Sequence, residues 1–227
     1  VGGILNGFTE KESTYYYCTL PADKMISAVD VLTDMIFNSV FDPEELEKEK
    51  KVVINEILAI EDSPDEVAYD YYLANLWGGH PLALKISGDA EHIRALDRES
   101  LMAFYTERYV PENMIISTAG GFDTNALVSE LEKRIQPAGG GSFTPVREKP
   151  LSVYNNEFKK SRFTQVQIYA GVSFQPQKRD YIKNYDEMVF STIMGESMSS
   201  RLFQVLREEK GLCYSVSSFR NLFTDTG

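Results

Sequence analysis

The chain has 227 residues, of which 43% are hydrophobic and 25% are charged. This composition is ordinary for a globular protein, and the length allows one large domain or two smaller ones, each with its own core. The 34 acidic residues outnumber the 23 basic residues, so the net charge is -11. A chain this acidic has no electrostatic reason to bind nucleic acid or an anionic membrane, and no apolar run approaches the length of a membrane span. We therefore expect neither nucleic acid nor membrane as a partner.

The first part of the chain predicts one strand followed by several helices. Tyrosine and threonine are frequent at residues 13–20, which favours a strand. Apolar residues at helical spacing, capping aspartates and prolines at first helical positions then predict helices. These helices span residues 21–38, 43–60, 64–76 and 97–109.

The rest of the chain alternates between strands and helices. We expect strands at residues 113–119, 165–174 and 212–219, and helices at 124–135, 181–194 and 199–210. Residues 137–150 are rich in glycine and proline, which is typical of an interdomain linker. The sequence thus predicts an α+β fold with one domain at residues 1–136, a linker at 137–150 and a second, related domain at 151–227.

Familiar catalytic patterns are missing from the sequence. Cys18 and Cys213 are the only cysteines and are too few for a disulfide framework or a paired-cysteine zinc site. His80 and His92 are the only histidines, and neither belongs to a His-x-x-Glu-His or His-Glu-x-x-His pattern. A zinc site needs at least three converging ligands, so these histidines do not predict one.

Two glutamates on the predicted helix at residues 43–60 form the first candidate site. Glu49 and Glu56 are seven residues apart, so their side chains lie about 20° apart on one helix face. An acidic stripe of this kind is usually a solvated surface. Glu56, however, lies in the mostly apolar stretch VVINEIL, where a carboxylate should be paired, protonated or bound to a metal.

The most distinctive stretch covers residues 199–216, SSRLFQVLREEKGLCYSV. Its pattern predicts a helix, a stop at Gly211 and a following strand. Arg207 lies in the last helical turns and Tyr214 near the start of the strand, so both side chains can point around the same corner. They could form a surface ion pair and a core aromatic, or they could donate hydrogen bonds to a peptide carbonyl.

Four stretches together resemble the inverted-zincin metallopeptidases of the pitrilysin, insulysin and mitochondrial-processing-peptidase type. Residues 1–9, VGGILNGFT, followed by three tyrosines at 15–17, are similar to the segment after the zinc helix of that family. Residues 41–56 look like the helix that donates the glutamate zinc ligand. Residues 104–114 resemble the next characteristic segment of the family along the chain, and residues 199–216 resemble a motif of the second homologous domain. The four matches occur in the order found in the family.

The resemblance implies specific roles for the candidate residues. Glu56 corresponds to the third zinc ligand, and Glu49 to the acidic residue that supports the metal site. Arg207 and Tyr214 match the pair that contacts the backbone of the peptide substrate. Members of the family hydrolyse peptides inside a clamshell chamber, where zinc polarises the carbonyl and activates water, and a peptide lies along a sheet edge as an added strand.

The sequence also departs from the family. The His-x-x-Glu-His helix, which carries two zinc ligands and the general base, should precede Val1, and both domains should be incomplete here. We therefore expect zinc in the full-length parent and none at the catalytic site of this fragment. A zinc endopeptidase is the first hypothesis for the parent, with peptides as substrates. The alternatives are a non-catalytic partner or scaffold subunit that acts with a homologous chain, and an unrelated acidic peptide-binding module.

Overall fold

The structure is a computed structural model that describes residues 2–135, 167–171, 185–224 and 226–227. It begins with an antiparallel hairpin of strands β1, Ile4–Thr9, and β2, Thr14–Thr19. Phe8 lies opposite Tyr15, and their rings stack with centroids 4.6 Å apart. The strand predicted at residues 13–20 is confirmed, and β1 is an additional strand beside it.

Three long helices follow the hairpin. Helix α1 spans Met25–Phe37 after a short 3-10 turn at Ala22–Lys24, helix α2 spans Pro43–Glu61 and helix α3 spans Pro64–Leu76. The side chain of Asp42 accepts hydrogen bonds from the backbone N–H groups of residues 44 and 45, so it caps α2 as its position before a proline predicts.

Three shorter helices follow, and each begins after a capping aspartate. They are α4 at Ala90–Ala95, α5 at Arg98–Arg108 and α6 at Thr124–Arg134, capped by Asp89, Asp97 and Asp123. The helices predicted at 97–109 and 124–135 are therefore confirmed, while α4 had not been predicted. A carboxylate oxygen satisfies backbone donors that would otherwise lack a partner at the start of each helix.

The strand predicted at residues 113–119 is wrong. A 3-10 turn occupies Pro111–Asn113, and residues 114–119 pair with no strand in the described part of the chain. Ile115 is 97% exposed. A run of β-branched residues gives a stretch its strand character, but a strand also needs a neighbour to pair its backbone groups, and the described residues supply none here.

The last part of the described chain is helical and irregular. Helix α7 spans Tyr185–Ser191 and continues into π-helical turns at Thr192–Glu196, and a second π-helical segment covers Phe203–Glu209. The strand predicted at 212–219 is wrong, because those residues pair with no other described strand. Most of the strand predicted at 165–174 and the whole linker predicted at 137–150 lie outside the described residues.

The described chain forms two compact units. The first contains residues 2–71, 84–135 and 167, and the second contains residues 72–83, 168–171, 185–224 and 226–227. In the first unit, Val29 and Ile57 are buried, as their helical spacing predicts. In the second, Trp77 is 2% exposed, and its ring meets that of Phe223 edge-on at 5.5 Å. Of the helices described, none combines the length and apolar character that crossing a membrane requires.

Candidate functional site

Glu49 and Glu56 both lie on α2, in the first unit, and both are exposed. The helix places the two carboxylates on one face, about 20° apart around the axis and about 10 Å apart along it. Ile57, the next residue after Glu56, is 2% exposed and faces the core. The structure therefore presents the two carboxylates as an outward stripe beside the apolar face of the helix.

The apolar sequence around Glu56 suggested a carboxylate in need of a partner. In the structure Glu56 is exposed, and it makes no hydrogen bond or ion pair with any described residue. Of the apolar residues in this stretch, Val53 is half-buried and Ile57 is buried, while Val52 and Leu58 are 48% and 47% exposed. Glu56 is itself exposed, so burial does not argue for a cation at this carboxylate.

The described residues do not by themselves fit a zinc ion. No group of three or more His, Cys, Asp and Glu side chains in the described ranges could hold a metal. Zinc ligands lie about 2.0–2.3 Å from the ion, so carboxylates almost two turns apart on a straight helix cannot both be close ligands. Glu56 can offer at most one ligand, and its role at a metal remains a prediction, as does the supporting role of Glu49.

The start of α2 is held by α5. Arg98 donates two hydrogen bonds of 2.8 Å, from Nε to the carbonyl of Phe41 and from Nη2 to the carbonyl of Val40. Phe41 has a φ of 45°, a left-handed conformation that is strained for a residue with a bulky side chain. Its ring meets that of Tyr105 edge-on at 5.2 Å. Sequence analysis did not single out Arg98, because its two acceptors are more than fifty residues earlier in the chain.

The second candidate site lies in the second unit, where the helix that carries Arg207 ends. Gly211 has a φ of 59°, a conformation that glycine adopts readily, and its N–H donates to the carbonyl of Arg207 at 3.1 Å. The N–H of Leu212 donates back to the carbonyl of Leu206 at 2.9 Å. These bonds close the helix and reverse the chain, as Gly211 predicts.

This reversal brings Arg207 and Tyr214 together. The guanidinium carbon of Arg207 lies 5.2 Å from the ring centroid of Tyr214 and 4.6 Å from that of Phe203. Both distances are typical of a cation above an aromatic face. Phe203 lies one helical turn before Arg207, which is the sequence signal that predicts this contact. The guanidinium thus lies within cation–π distance of both rings.

The two donors of this corner are accessible to solvent. Tyr214 is 88% exposed, and the side chain of Arg207 is 35% exposed, with a long 3.7 Å ion pair to Glu208. The two ring contacts favour this position of the guanidinium, while its N–H groups and the tyrosine hydroxyl remain able to donate. The structure therefore places the two residues side by side, as the sequence predicts, while their contact with a substrate remains a prediction.

A further set of contacts, which the sequence does not indicate, lies beyond Tyr214. Ser218 meets Ser191 and Gly195, and no local pattern indicates these contacts because the two serines are 27 residues apart. The contacts fix the backbone four residues after Tyr214.

Comparison with known proteins places the chain in a family. A family model described as "Peptidase M16 inactive domain" matches residues 95–227, and one described as "Insulinase (Peptidase family M16)" matches residues 1–90. The chain belongs to peptidase family M16. This confirms the predicted resemblance to the inverted-zincin metallopeptidases, a family of zinc-dependent hydrolases that act on peptide bonds.

Individual relatives agree with this assignment. The M16 chain is 35% identical to the "uncharacterized zinc protease YmxG" of Bacillus subtilis over 100% of its own length and 55% of the relative's. It superposes on a protease from Helicobacter pylori with a TM-score of 0.82, at 17% identity over 99% of this chain and 55% of that chain. It superposes on a peptidase M16 inactive domain from Pseudomonas fluorescens with a TM-score of 0.76, at 20% identity over 95% of this chain and 53% of that chain.

These matches confirm the α+β fold of M16 peptidase type. The two family models also agree with the prediction of two related domains, although the boundary predicted at residues 137–150 remains a prediction. The M16 chain spans about half the length of the curated relatives it matches.

Proposed function

We propose that the protein to which this M16 chain belongs is a zinc-dependent endopeptidase that hydrolyses peptides in a clamshell chamber. The observation that carries the proposal is the corner formed by Arg207 and Tyr214, where two exposed donors are held side by side. A peptide backbone presents carbonyl oxygens to such donors whatever its side chains are. The names of the relatives, which are described as zinc proteases, support the peptidase part of the proposal.

Each candidate residue has a distinct role in this proposal. Glu56 contributes one carboxylate ligand to zinc, and Glu49 supports the site from almost two turns earlier on α2. Arg207 and Tyr214 donate hydrogen bonds to the backbone of the bound peptide. The remaining metal ligands and the general base come from residues that are not part of this sequence.

A second candidate function is that of a non-catalytic subunit that presents Arg207 and Tyr214 to a homologous catalytic chain. One observation favours it: the family model that matches residues 95–227 is described as an inactive domain. As a non-catalytic subunit the chain still binds peptides, but the peptides are cleaved only when the homologous catalytic chain is present.

The deciding experiment compares, in the full-length protein, substitutions on two opposite faces of α2. Bound zinc and cleavage of a peptide library are measured for the wild type, for Glu56→Gln and for a control, Glu47→Gln. Glu47 lies nine residues before Glu56, so its side chain points about 180° away on the same helix. Both changes replace an exposed carboxylate with an amide of the same shape, so neither should unfold the protein.

We expect Glu56→Gln to lose most of its zinc and most of its turnover, and Glu47→Gln to keep both. If Glu56→Gln retains full zinc and near-normal cleavage, then Glu56 is only a surface residue and the assignment is wrong. If the wild-type protein binds peptides but holds no zinc and cleaves nothing, the non-catalytic subunit is the correct reading.

A further inference from the structure

The chain beyond Tyr214 returns to the end of α7 and is fastened there by Ser218. The hydroxyl of Ser218 donates to the carbonyl of Ser191 at 2.6 Å, and the two serine Oγ atoms lie 3.1 Å apart. The N–H of Ser218 donates to the carbonyl of Gly195 at 3.3 Å. We call these three residues the serine contact. It lies within the second unit, and Ser191 is only 6% exposed.

Gly195 allows the two segments to approach this closely. A Cβ atom at residue 195 would lie 2.3 Å from the backbone nitrogen of Ser218 and 2.8 Å from the carbonyl carbon of Ser217. Both distances are far below van der Waals contact, and both atoms belong to the backbone, which cannot rotate out of the way. Residue 195 therefore has to be glycine if the serine contact is to form.

Two polar interactions surround the serine contact. Arg220 reaches Glu187 on α7 at 4.0 Å, and the hydroxyl of Thr192 donates to Glu196 at 3.0 Å. Hydrogen bonds from Ser191 and Thr192, together with the charge of Arg220, lower the pKa of Glu196. Of these, only the long ion pair of Arg220 with Glu187 joins the returning segment to α7.

Tyr214 lies between two fixed points. On one side the chain is fixed at Gly211, where the helix closes, and on the other side it is fixed at Ser218. Residues 212–217 pair with no described strand, and Tyr214 is itself 88% exposed, so its contact with Arg207 is not backed by burial of the ring. The two fixed ends therefore determine where the segment lies in relation to Arg207.

We propose that Ser218 and Gly195 are positioning residues that hold Tyr214 beside Arg207 for a peptide substrate. The inference rests on the proposed function, because it requires Tyr214 to contact the peptide. Ser218 acts through its two bonds to the end of α7, and Gly195 acts by leaving room for them. Neither residue touches the substrate in this account.

The test uses peptide kinetics with the full-length protein. Ser218→Ala removes the hydroxyl but keeps the backbone N–H, and Ser218→Thr keeps a hydroxyl at the same position. Ser217→Ala is the matched control, because Ser217 is the adjacent residue and is exposed. We expect Ser218→Ala to raise KM by about tenfold with little change in kcat or bound zinc, while Ser218→Thr recovers most of the affinity and Ser217→Ala is unchanged.

A double-mutant cycle separates positioning from general stability. If Ser218 acts through Tyr214, adding Ser218→Ala to Tyr214→Ala should not raise KM further. If the two effects multiply, Ser218 has a separate role and the inference is wrong. If Tyr214→Ala alone leaves KM and kcat unchanged, the proposed substrate contact is the part that fails.

A second measurement does not depend on activity. In the wild type the amide of Ser218 should exchange its hydrogen slowly, because it is bonded to Gly195. Gly195→Ala should make this exchange faster by at least about tenfold, since the added Cβ breaks the bond. If the Ser218 amide exchanges at the rate of the exposed amides around it in the wild type, the serine contact does not form in solution and the inference is overturned.

Discussion

The two candidate regions differ in how much of their geometry the local chain supplies. The corner of Arg207 and Tyr214 is assembled by residues that are close in sequence, through one helical turn and one glycine stop. On α2, Glu49 and Glu56 share a face, but neither has a partner among the described residues, and no metal cluster forms around them in those ranges. The first region is a formed pair of donors, whereas the second is a surface that needs further residues.

This difference shows which properties depend on nearby residues and which depend on residues elsewhere in the protein. The pair of donors keeps its geometry wherever its own helix and turn are folded and the serine contact is formed. A metal ligand has a function only where other ligands converge on the same ion. The candidate substrate contact should therefore survive many changes elsewhere in the protein, while the candidate metal ligand should depend on its surroundings.

The largest expected difference is in zinc affinity between this chain and the full-length protein. After dialysis against zinc-free buffer, we expect the 227-residue chain to hold no stoichiometric zinc and to cleave no peptide, because one carboxylate cannot compete with water for the ion. The full-length protein, treated in the same way, should retain about one zinc per chain. Elemental analysis measures both. One equivalent of zinc located at Glu56 in crystals of the short chain would contradict the comparison.

Replacing Arg207 with lysine tests the corner of Arg207 and Tyr214. Arg207→Lys keeps the charge but loses the planar group that lies against Phe203 and Tyr214. We expect kcat/KM of the full-length protein to fall on the order of 100-fold, with no loss of zinc. Arg201→Lys, an exposed position on the same helix, is the control and should be unchanged. Equal activity of the two variants would show that the ring contacts are irrelevant to function.

The variant Glu49→Gln tests whether the two glutamates of α2 have different roles. If Glu49 only supports the metal site, its loss should reduce turnover on the order of 10–100-fold and weaken zinc retention, less severely than Glu56→Gln. The effect should appear in kcat and in zinc content rather than in thermal stability, because the side chain is exposed. Kinetics and elemental analysis compare Glu49→Gln with Glu56→Gln in the turnover and the bound zinc that each variant loses. Identical losses would mean that the two glutamates share one role.

The smallest expected effect is a pH dependence of stability that comes from Asp89 and His92. Like Arg207 and Tyr214, these two residues are partners close in sequence. Their hydrogen bond raises the pKa of His92 above its ordinary value of 6.5, and backbone and side-chain bonds from His92 lower that of Asp89 below 3.8. The histidine contribution to stability is complete below pH 6.5 and is lost as pH rises through the folded pKa. The aspartate contribution is present above pH 3.8 and is lost as pH falls through its folded pKa.

An NMR titration measures this effect. We expect Asp89→Asn to return the pKa of His92 toward 6.5, and the extra stability between the two folded pKa values to disappear. His92 already titrating at 6.5 in the wild type would show that a neighbour in sequence does not perturb an exposed group here.

The sequence predicted the local features of this fold well. The caps at Asp42 and Asp123, the stop at Gly211 and the meeting of Arg207 with Tyr214 all follow from helix period and end signals. These features depend on residues within a few positions of one another, which is the range in which spacing determines geometry.

Features that depend on distant residues were not predictable. The strands expected at 113–119 and 212–219 have the right residue types, but pairing requires a second strand, which no local pattern specifies. For Glu56 the sequence left two alternatives open, because an acidic stripe favours a solvated face while the apolar stretch VVINEIL favours a partner for the carboxylate; the structure shows it exposed. Ser191 and Ser218 are 27 residues apart, so their contact leaves no periodic signal.

The strained turn before α2 has a consequence for how the first unit opens. The left-handed Phe41 is held by the hydrogen bonds of Arg98 and the ring of Tyr105, and Tyr105 also donates to the carbonyl of Ile36 at 2.8 Å. If α5 detaches, the turn loses these bonds at once. The end of α1, the start of α2 and α5 should therefore open as one cooperative block, a foldon whose amides share a single opening free energy.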